Sequence, residues 1–340
     1  MGSRAFITGV SGLELNAAER EFIRDERPWG LILFKRNIEA PDQVSNLVRE
    51  FQDLTKNADA PVLIDQEGGR VQRLGPPHWP VYPPGAAFGA LYDIDPALGL
   101  SAARLSSRLI AADLIELGVT VDCLPLADVP VAGADAVIGN RAYGTEPGKV
   151  ASIARAVTEG LEQGGVLPVL KHIPGHGRAT ADSHFGLPTV DTARNELERT
   201  DFAAFQPLAD LPMAMTAHVV FSALDPAHPA TTSATIIQQV IRGVIGFQGL
   251  LMSDDVSMNA LAGTIAERTQ AIVNAGCDMV LHCNGKLDEM RDVARETPEL
   301  AGEALVRAKR ALASRRHPEP LDRQAARAEL DALLDRVGTA

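Results

Sequence analysis

The sequence predicts an α/β fold, a single-domain (β/α)8 TIM barrel, on three observations. Short, apolar, β-prone runs recur along the chain; amphipathic segments separate them; and the runs number eight. They are Ala5–Val10, Gly30–Phe34, Pro61–Asp65, Val119–Leu124, Val166–Leu170, Pro212–Thr216, Gly249–Met252 and Asp278–His282. Each is apolar throughout rather than alternating, as a strand covered on both faces should be. Strand–helix alternation implies a parallel sheet, and eight repeats imply closure rather than an open sheet. The 340 residues fit one such barrel, which commonly runs to about 250 residues or more with insertions.

The clearest helical segments are Leu98–Leu117 and Val150–Gln163, with Asp42–Thr55 and Thr235–Ile245 following the same pattern. Gly118, Gly164-Gly165 and Gly246 stand as stop signals before the next strand. Two stretches break the rhythm. Gly68–Asp95 is rich in Pro and Gly and reads as a long loop over one barrel mouth; Pro174–Pro188 reads as a loop after the fifth strand. From about Glu299 the chain becomes Ala/Arg/Leu-rich helix, expected to pack on the outside. No linker divides the chain, so residues 1–340 are read as one catalytic domain with a helical tail.

Composition narrows the partners. With 32 Lys and Arg against 44 Asp and Glu, the net charge is −12 and no basic stripe interrupts it; such a surface repels phosphate backbones and speaks against nucleic acid. The three cysteines, Cys123, Cys277 and Cys283, form no CxxC and suit a reducing compartment. The amino-terminal apolar run is too short for a signal-peptide core, and no stretch is long enough to span a bilayer. The expectation is a cytoplasmic monomer with no membrane partner and no cofactor.

In (β/α)8 enzymes the chemistry sits where strands end. Here strand three ends in Asp65-Gln66-Glu67-Gly68-Gly69-Arg70, strand five in Lys171-His172, strand six in His218, strand seven in Ser253-Asp254-Asp255 and strand eight in His282. Polar groups ending apolar strands on one rim would converge on one pocket. His172 and His176 are four apart, as on a zinc-binding helix, but Pro174, Gly175 and Gly177 make a helix implausible. A loop-borne zinc site from His172, His176, Asp182 and His184 stays open, against a plain turn in which backbone groups satisfy His176. Asp182 beside His184 can orient the imidazole and raise its pKa, which suits a proton shuttle. Asp254, at the end of a buried strand, can attack an anomeric carbon; Asp255 fits better as the N-cap of a following helix.

These stretches, with Val71-Gln72-Arg73, Gly139-Asn140-Arg141-Ala142-Tyr143-Gly144 and Val256-Ser257-Met258, resemble glycoside hydrolase family 3 in its bacterial β-N-acetylhexosaminidase branch. They fall in family order over most of the chain and are specific together. The resemblance implies a (β/α)8 fold and removal of terminal, non-reducing, β-linked N-acetylglucosamine (GlcNAc). It implies Asp254 as nucleophile, His184 as general acid/base with Asp182 as its partner, and Asp65, Arg73, Arg141, Lys171 and His172 as ligands of the sugar hydroxyls. The implied natural substrate is GlcNAc-1,6-anhydro-N-acetylmuramoyl-peptide, a muropeptide of peptidoglycan recycling. Ile173 and Ala142 depart from the common pattern without touching a catalytic position. Lys171, Arg73 and Arg141 are expected to keep Asp254 ionised or to grip hydroxyls. A β-N-acetylglucosaminide phosphorylase and a non-catalytic sugar-binding barrel are the alternatives. The aromatic content of 4% favours one gripped sugar over a long glycan on aromatic platforms.

Overall fold

The computed structural model describes residues 2–179 and 186–338. Eight parallel strands close into a barrel in chain order. They are β1 (Arg4–Thr8), β2 (Pro28–Leu33), β3 (Val62–Ile64), β4 (Val121–Asp122), β5 (Leu167–Ile173), β6 (Met213–Thr216), β7 (Leu250–Asp255) and β8 (Met279–His282). Each overlaps one of the expected apolar runs, with β5 and β7 extending past theirs to Ile173 and Asp255. Phe6 opposite Val280 and Ile7 opposite Leu281 close the ring between β1 and β8.

The strands are apolar on both faces because each face packs against something. Ile7, Ile32, Leu63, Val121, Val169, Met215, Met252 and Leu281 point inward and fill the barrel. Their neighbours Phe6, Leu33, Ile64, Leu170, Ala214, Leu251 and Val280 point outward into the layer under the helices. This period of two runs through the strands up to the carboxyl-terminal ends of β5 and β7. The expected helices are present as Pro41–Thr55, Pro96–Glu116, Pro147–Gln163 and Ile236–Val244. Gly165, at φ 78°, makes the left-handed turn from helix to β5 that a side chain would oppose.

Two expectations need correction. Gly68–Asp95 is not one long loop. Gln66–Gly68 and Val71–Gln72 form a small antiparallel ladder, and Gly85–Ile94 is a helix. That helix forms because Phe88 and Leu91 are buried and Gly85 and Gly89 let the backbone of Arg141 and Tyr143 lie against it. The tail does not pack wholly outside. Leu300, Ala308 and Ala311 join the inward residues Ala5, Trp29, Leu167, Met213 and Met279 in one cluster. Helix Gly302–Ala313 therefore stoppers the amino-terminal end of the barrel. Only Arg323–Leu334 lies outside, paired through Arg323 to Asp113 and Glu116 of helix Pro96–Glu116. The stopper leaves the carboxyl-terminal end as the open one. No helix among the described residues is long and apolar enough to cross a membrane.

Candidate active site

A cavity of about 300 Å³ opens at the carboxyl-terminal ends of the strands. Asp65, Arg73, Arg141, Lys171, His172 and Asp254, expected from sequence, all line it. Two irregularities in the sheet put adjacent residues there together. Between β5 and β6, Leu170 faces Ala214 but Ile173 faces Thr216, three steps against two; between β7 and β8, Met252 faces Met279 but Asp255 faces Leu281. Each bulge breaks the in–out alternation, so Lys171 with His172, and Asp254 with Asp255, both reach the cavity. Ser253 Oγ braces the second bulge by accepting the Leu281 N–H at 3.0 Å.

One wall is a charge lattice. Lys171 Nζ lies 2.9 Å from Asp65 Oδ1 and 2.6 Å from Glu67 Oε1. Arg73 Nη2 donates to Asp65 Oδ2 at 3.0 Å, and Arg141 forks onto Glu67 with two bonds of 2.8 Å. Burial opposes ionisation of Asp65, yet Lys171 and Arg73 hold it far below the usual carboxylate range. Burial likewise opposes Glu67, and Lys171 and Arg141 overcome it; burial of the Lys171 ammonium is offset by the same two carboxylates, which raise it. These groups are locked in their charged states and in place. Arg73 also lies over the Phe34 ring, 5.2 Å from its centroid, with Arg36 at 4.9 Å.

His172 is held from behind by Asp128, an anchor the sequence reading missed. Its Nδ1 is 2.7 Å from Asp128 Oδ2, and the backbone N–H of His176 donates to Asp128 Oδ1 at 2.7 Å. An ionised carboxylate only accepts, so Nδ1 carries the proton and Nε2 is left for an occupant. Burial pushes the Asp128 carboxyl up, and the His172 charge and hydrogen bond more than reverse it. Gly177 permits this seating, since a Cβ there would lie 2.1 Å from the carbonyl of Val129. Burial, then His172, push the His176 ring down to about 4. Glu67 was legible as part of a motif but not as the group tying Lys171 to Arg141. The signal for Asp128 was a lone acid in the apolar run from Cys123 to Pro130, just past β4.

The opposite wall is Asp254. Its Oδ1 accepts the Asp255 N–H at 2.8 Å. Burial opposes its ionisation; His218, His172, that N–H and Lys171 together hold it below the usual range. Arg73 and Arg141 are paired to Asp65 and Glu67 on the other wall. Asp255 caps no helix. It accepts from the N–H and hydroxyl of Ser257, at 3.0 and 2.6 Å, and from Cys283 N–H at 3.1 Å, while the next helix starts at Ile265 under a Thr264 cap. His218 and His282 do not line the cavity; both are fully buried, and Leu281 of β8 and Cys283 just after it take the inward positions instead. Asp182 and His184 lie outside the described residues. Among the described residues no cluster of three or more His, Cys, Asp or Glu could hold a metal.

A glycosyl hydrolase family 3 N-terminal domain matches residues 6–310. The chain is 40% identical over 282 residues to a β-hexosaminidase of Alkalilimnicola ehrlichii, covering 81% of this chain and 79% of that one. It is 35% identical over 303 residues to a β-hexosaminidase of Xanthomonas campestris, covering 88% of each. Among solved structures, NagZ of Neisseria gonorrhoeae in complex with N-trifluoroacetyl-D-glucosamine superposes with a TM-score of 0.88 at 30% identity, over 98% of this chain and 99% of that one. A family 3 β-N-acetylglucosaminidase of a Paenibacillus species gives a TM-score of 0.85 at 29% identity, over 98% of this chain and 66% of that one. Taken with the site geometry, these matches show that the chain belongs to glycosyl hydrolase family 3 and is a glycoside hydrolase of the β-N-acetylhexosaminidase type.

Proposed function

We propose that this enzyme removes terminal β-linked GlcNAc with retention, through a glycosyl ester on Asp254, with His184 as acid/base and Asp182 as its partner. The observation that carries the reading is the state of the carboxyls lining the cavity. Most retaining glycosidases pair a nucleophile with a protonated carboxyl about 5–5.5 Å away. Here Asp65 and Glu67 are clamped by cations, and Asp255 is occupied by Ser257 and Cys283. None of the three is free to deliver a proton. Among the described lining carboxyls Asp254 is the one held ionised without a cation bonded to it, which favours an acid of another residue type. His184, which follows the fifth strand in sequence, supplies it.

Asp65, Arg73, Arg141, Lys171 and His172 bind the sugar hydroxyls. A volume of about 300 Å³ is at the small end of ligand pockets, which run from about 300 to 1,000 Å³, and suits one sugar. Phe34 is the only phenyl, indole or phenol ring among the described lining residues, so a long glycan finds little to stack on. The family resemblance of the motifs favours a GlcNAc-1,6-anhydro-N-acetylmuramoyl-peptide as substrate, in cytoplasmic peptidoglycan recycling. Residues 1–340 act as one catalytic domain, with the tail from about 299 serving as the barrel's stopper and brace.

A 5-fluoro GlcNAc glycoside with an activated leaving group tests the nucleophile. The label is expected on Asp254 by peptide mass spectrometry, with none on Asp255, and labelling of the Asp254→Ala protein at the wild-type rate would refute the assignment.

A further inference from the structure

His218 is wholly buried behind Asp254 and lines no part of the cavity. Its Nε2 lies 2.9 Å from the carbonyl oxygen of Asp255. A carbonyl only accepts, so Nε2 carries a proton. Its Nδ1 lies 2.7 Å from Thr231 Oγ1. That hydroxyl has one proton and two further neighbours, Thr216 Oγ1 at 2.8 Å and the carbonyl of Ala217 at 2.9 Å. When Thr231 donates to the Ala217 carbonyl, Nδ1 must donate too, and Thr231 then accepts from Nδ1 and from Thr216. Every group in the cluster is satisfied in that arrangement. A neutral ring would take the Thr231 proton and leave the carbonyl without it.

The geometry points to His218 as a positioning residue for Asp254: a ring protonated on both nitrogens that grips the Asp255 carbonyl and keeps a positive charge behind the carboxylate. The inference rests on the reading of Asp254 as nucleophile. Asp255 is then held from two sides, its carbonyl by His218 and its N–H by Asp254 Oδ1. The other charged groups acting on Asp254 are His172 and Lys171 on β5, and the thiol of Cys277 reaches the Thr231 carbonyl at 3.7 Å. After burial, His218 is the largest influence on the Asp254 carboxyl, and it acts to keep it ionised.

The charge acts differently on the two halves of the reaction. It favours the carboxylate over the glycosyl ester. It therefore keeps Asp254 ready at low pH and makes it the better leaving group when water cleaves the ester. His218→Gln keeps an N–H near the Asp255 carbonyl but removes the charge. The acid limb of kcat/KM is expected to move up by about one pH unit. With an activated aryl glycoside, kcat is expected to fall about tenfold with KM falling alongside, and a burst of released phenol to appear. Thr231→Val, which removes the Nδ1 partner and leaves the ring, should move the limb the same way; Thr231→Ser should restore it. An unmoved acid limb in both His218→Gln and Thr231→Val overturns the proposal, as does a rate loss accompanied by a raised KM and no burst. Label from the fluoroglycoside on a residue other than Asp254 overturns the nucleophile reading and this role with it. Label on Asp254 with an unmoved limb overturns the His218 role alone.

Discussion

Replacing Asp254 with alanine is expected to lower kcat on an aryl β-N-acetylglucosaminide by about 10⁴-fold, while the inhibition constant of free GlcNAc changes little. The size follows from the absence of a substitute. Asp255, one residue away, has both oxygens engaged by Ser257 and the Cys283 N–H. Asp65 and Glu67 stand in the cation lattice across the cavity. The lattice does not depend on Asp254, so the sugar still binds. Azide should enter the space left by the carboxylate and return part of the rate, giving the inverted glycosyl azide, which proton NMR of the product identifies. A residual rate above about one-hundredth of wild type, or azide rescue with retained configuration, would remove Asp254 from the nucleophile role.

Lys171→Met is expected to destabilise the fold by about 3 kcal/mol, the lower end of the cost of breaking a buried ion pair. The Lys171 side chain is 2% exposed and bridges Asp65 and Glu67, which are 16% and 4% exposed. Removing the ammonium leaves two buried carboxylates, each still with one arginine, which is why the lower end applies. The sign of the pH dependence follows from the depressed carboxyls. Asp65 and Glu67 titrate below their ordinary values in the folded protein. Their ionised forms therefore stabilise it above about pH 4, and that contribution is lost as the pH falls toward the folded values. Denaturant titrations should show a gap between wild type and Lys171→Met at pH 7 that narrows by pH 3. A gap that stays constant, or widens in acid, would contradict the electrostatic account. On the proposed reading of Asp65 as a sugar ligand catalysis should suffer as well, since Lys171 holds one of its oxygens.

The apolar runs determined the barrel. Eight stretches without alternation must be covered on both faces, and amphipathic segments between them leave parallel closure as the economical solution; every strand overlaps its expected run. The motif residues at the strand ends placed Asp65, Lys171, His172 and Asp254 on one rim for the same reason, and the structure gathers them with Arg73 and Arg141 around one cavity. The tail was legible only as helix. Its apolar positions Leu300, Ala308 and Ala311 do not say whether they face the outer ring or the barrel's lower mouth, and only the assembled strands make that mouth available.

Two further matters were decided by tertiary structure alone. A strand's period of two predicts that neighbours point apart, and by that rule Lys171 and His172, or Asp254 and Asp255, could not share a pocket. The bulges against β6 and β8 override it, and bulges leave no compositional trace in short apolar strands. The partners of the site residues were equally hidden. Asp128, Glu67 and His218 reach their positions across 44, 104 and 37 residues of chain from His172, Lys171 and Asp255. Sequence supplied the chemical groups and the strands that carry them. Which carboxylate is clamped and which is left open to react depends on distances between segments far apart in the chain, and those exist only once the barrel has closed.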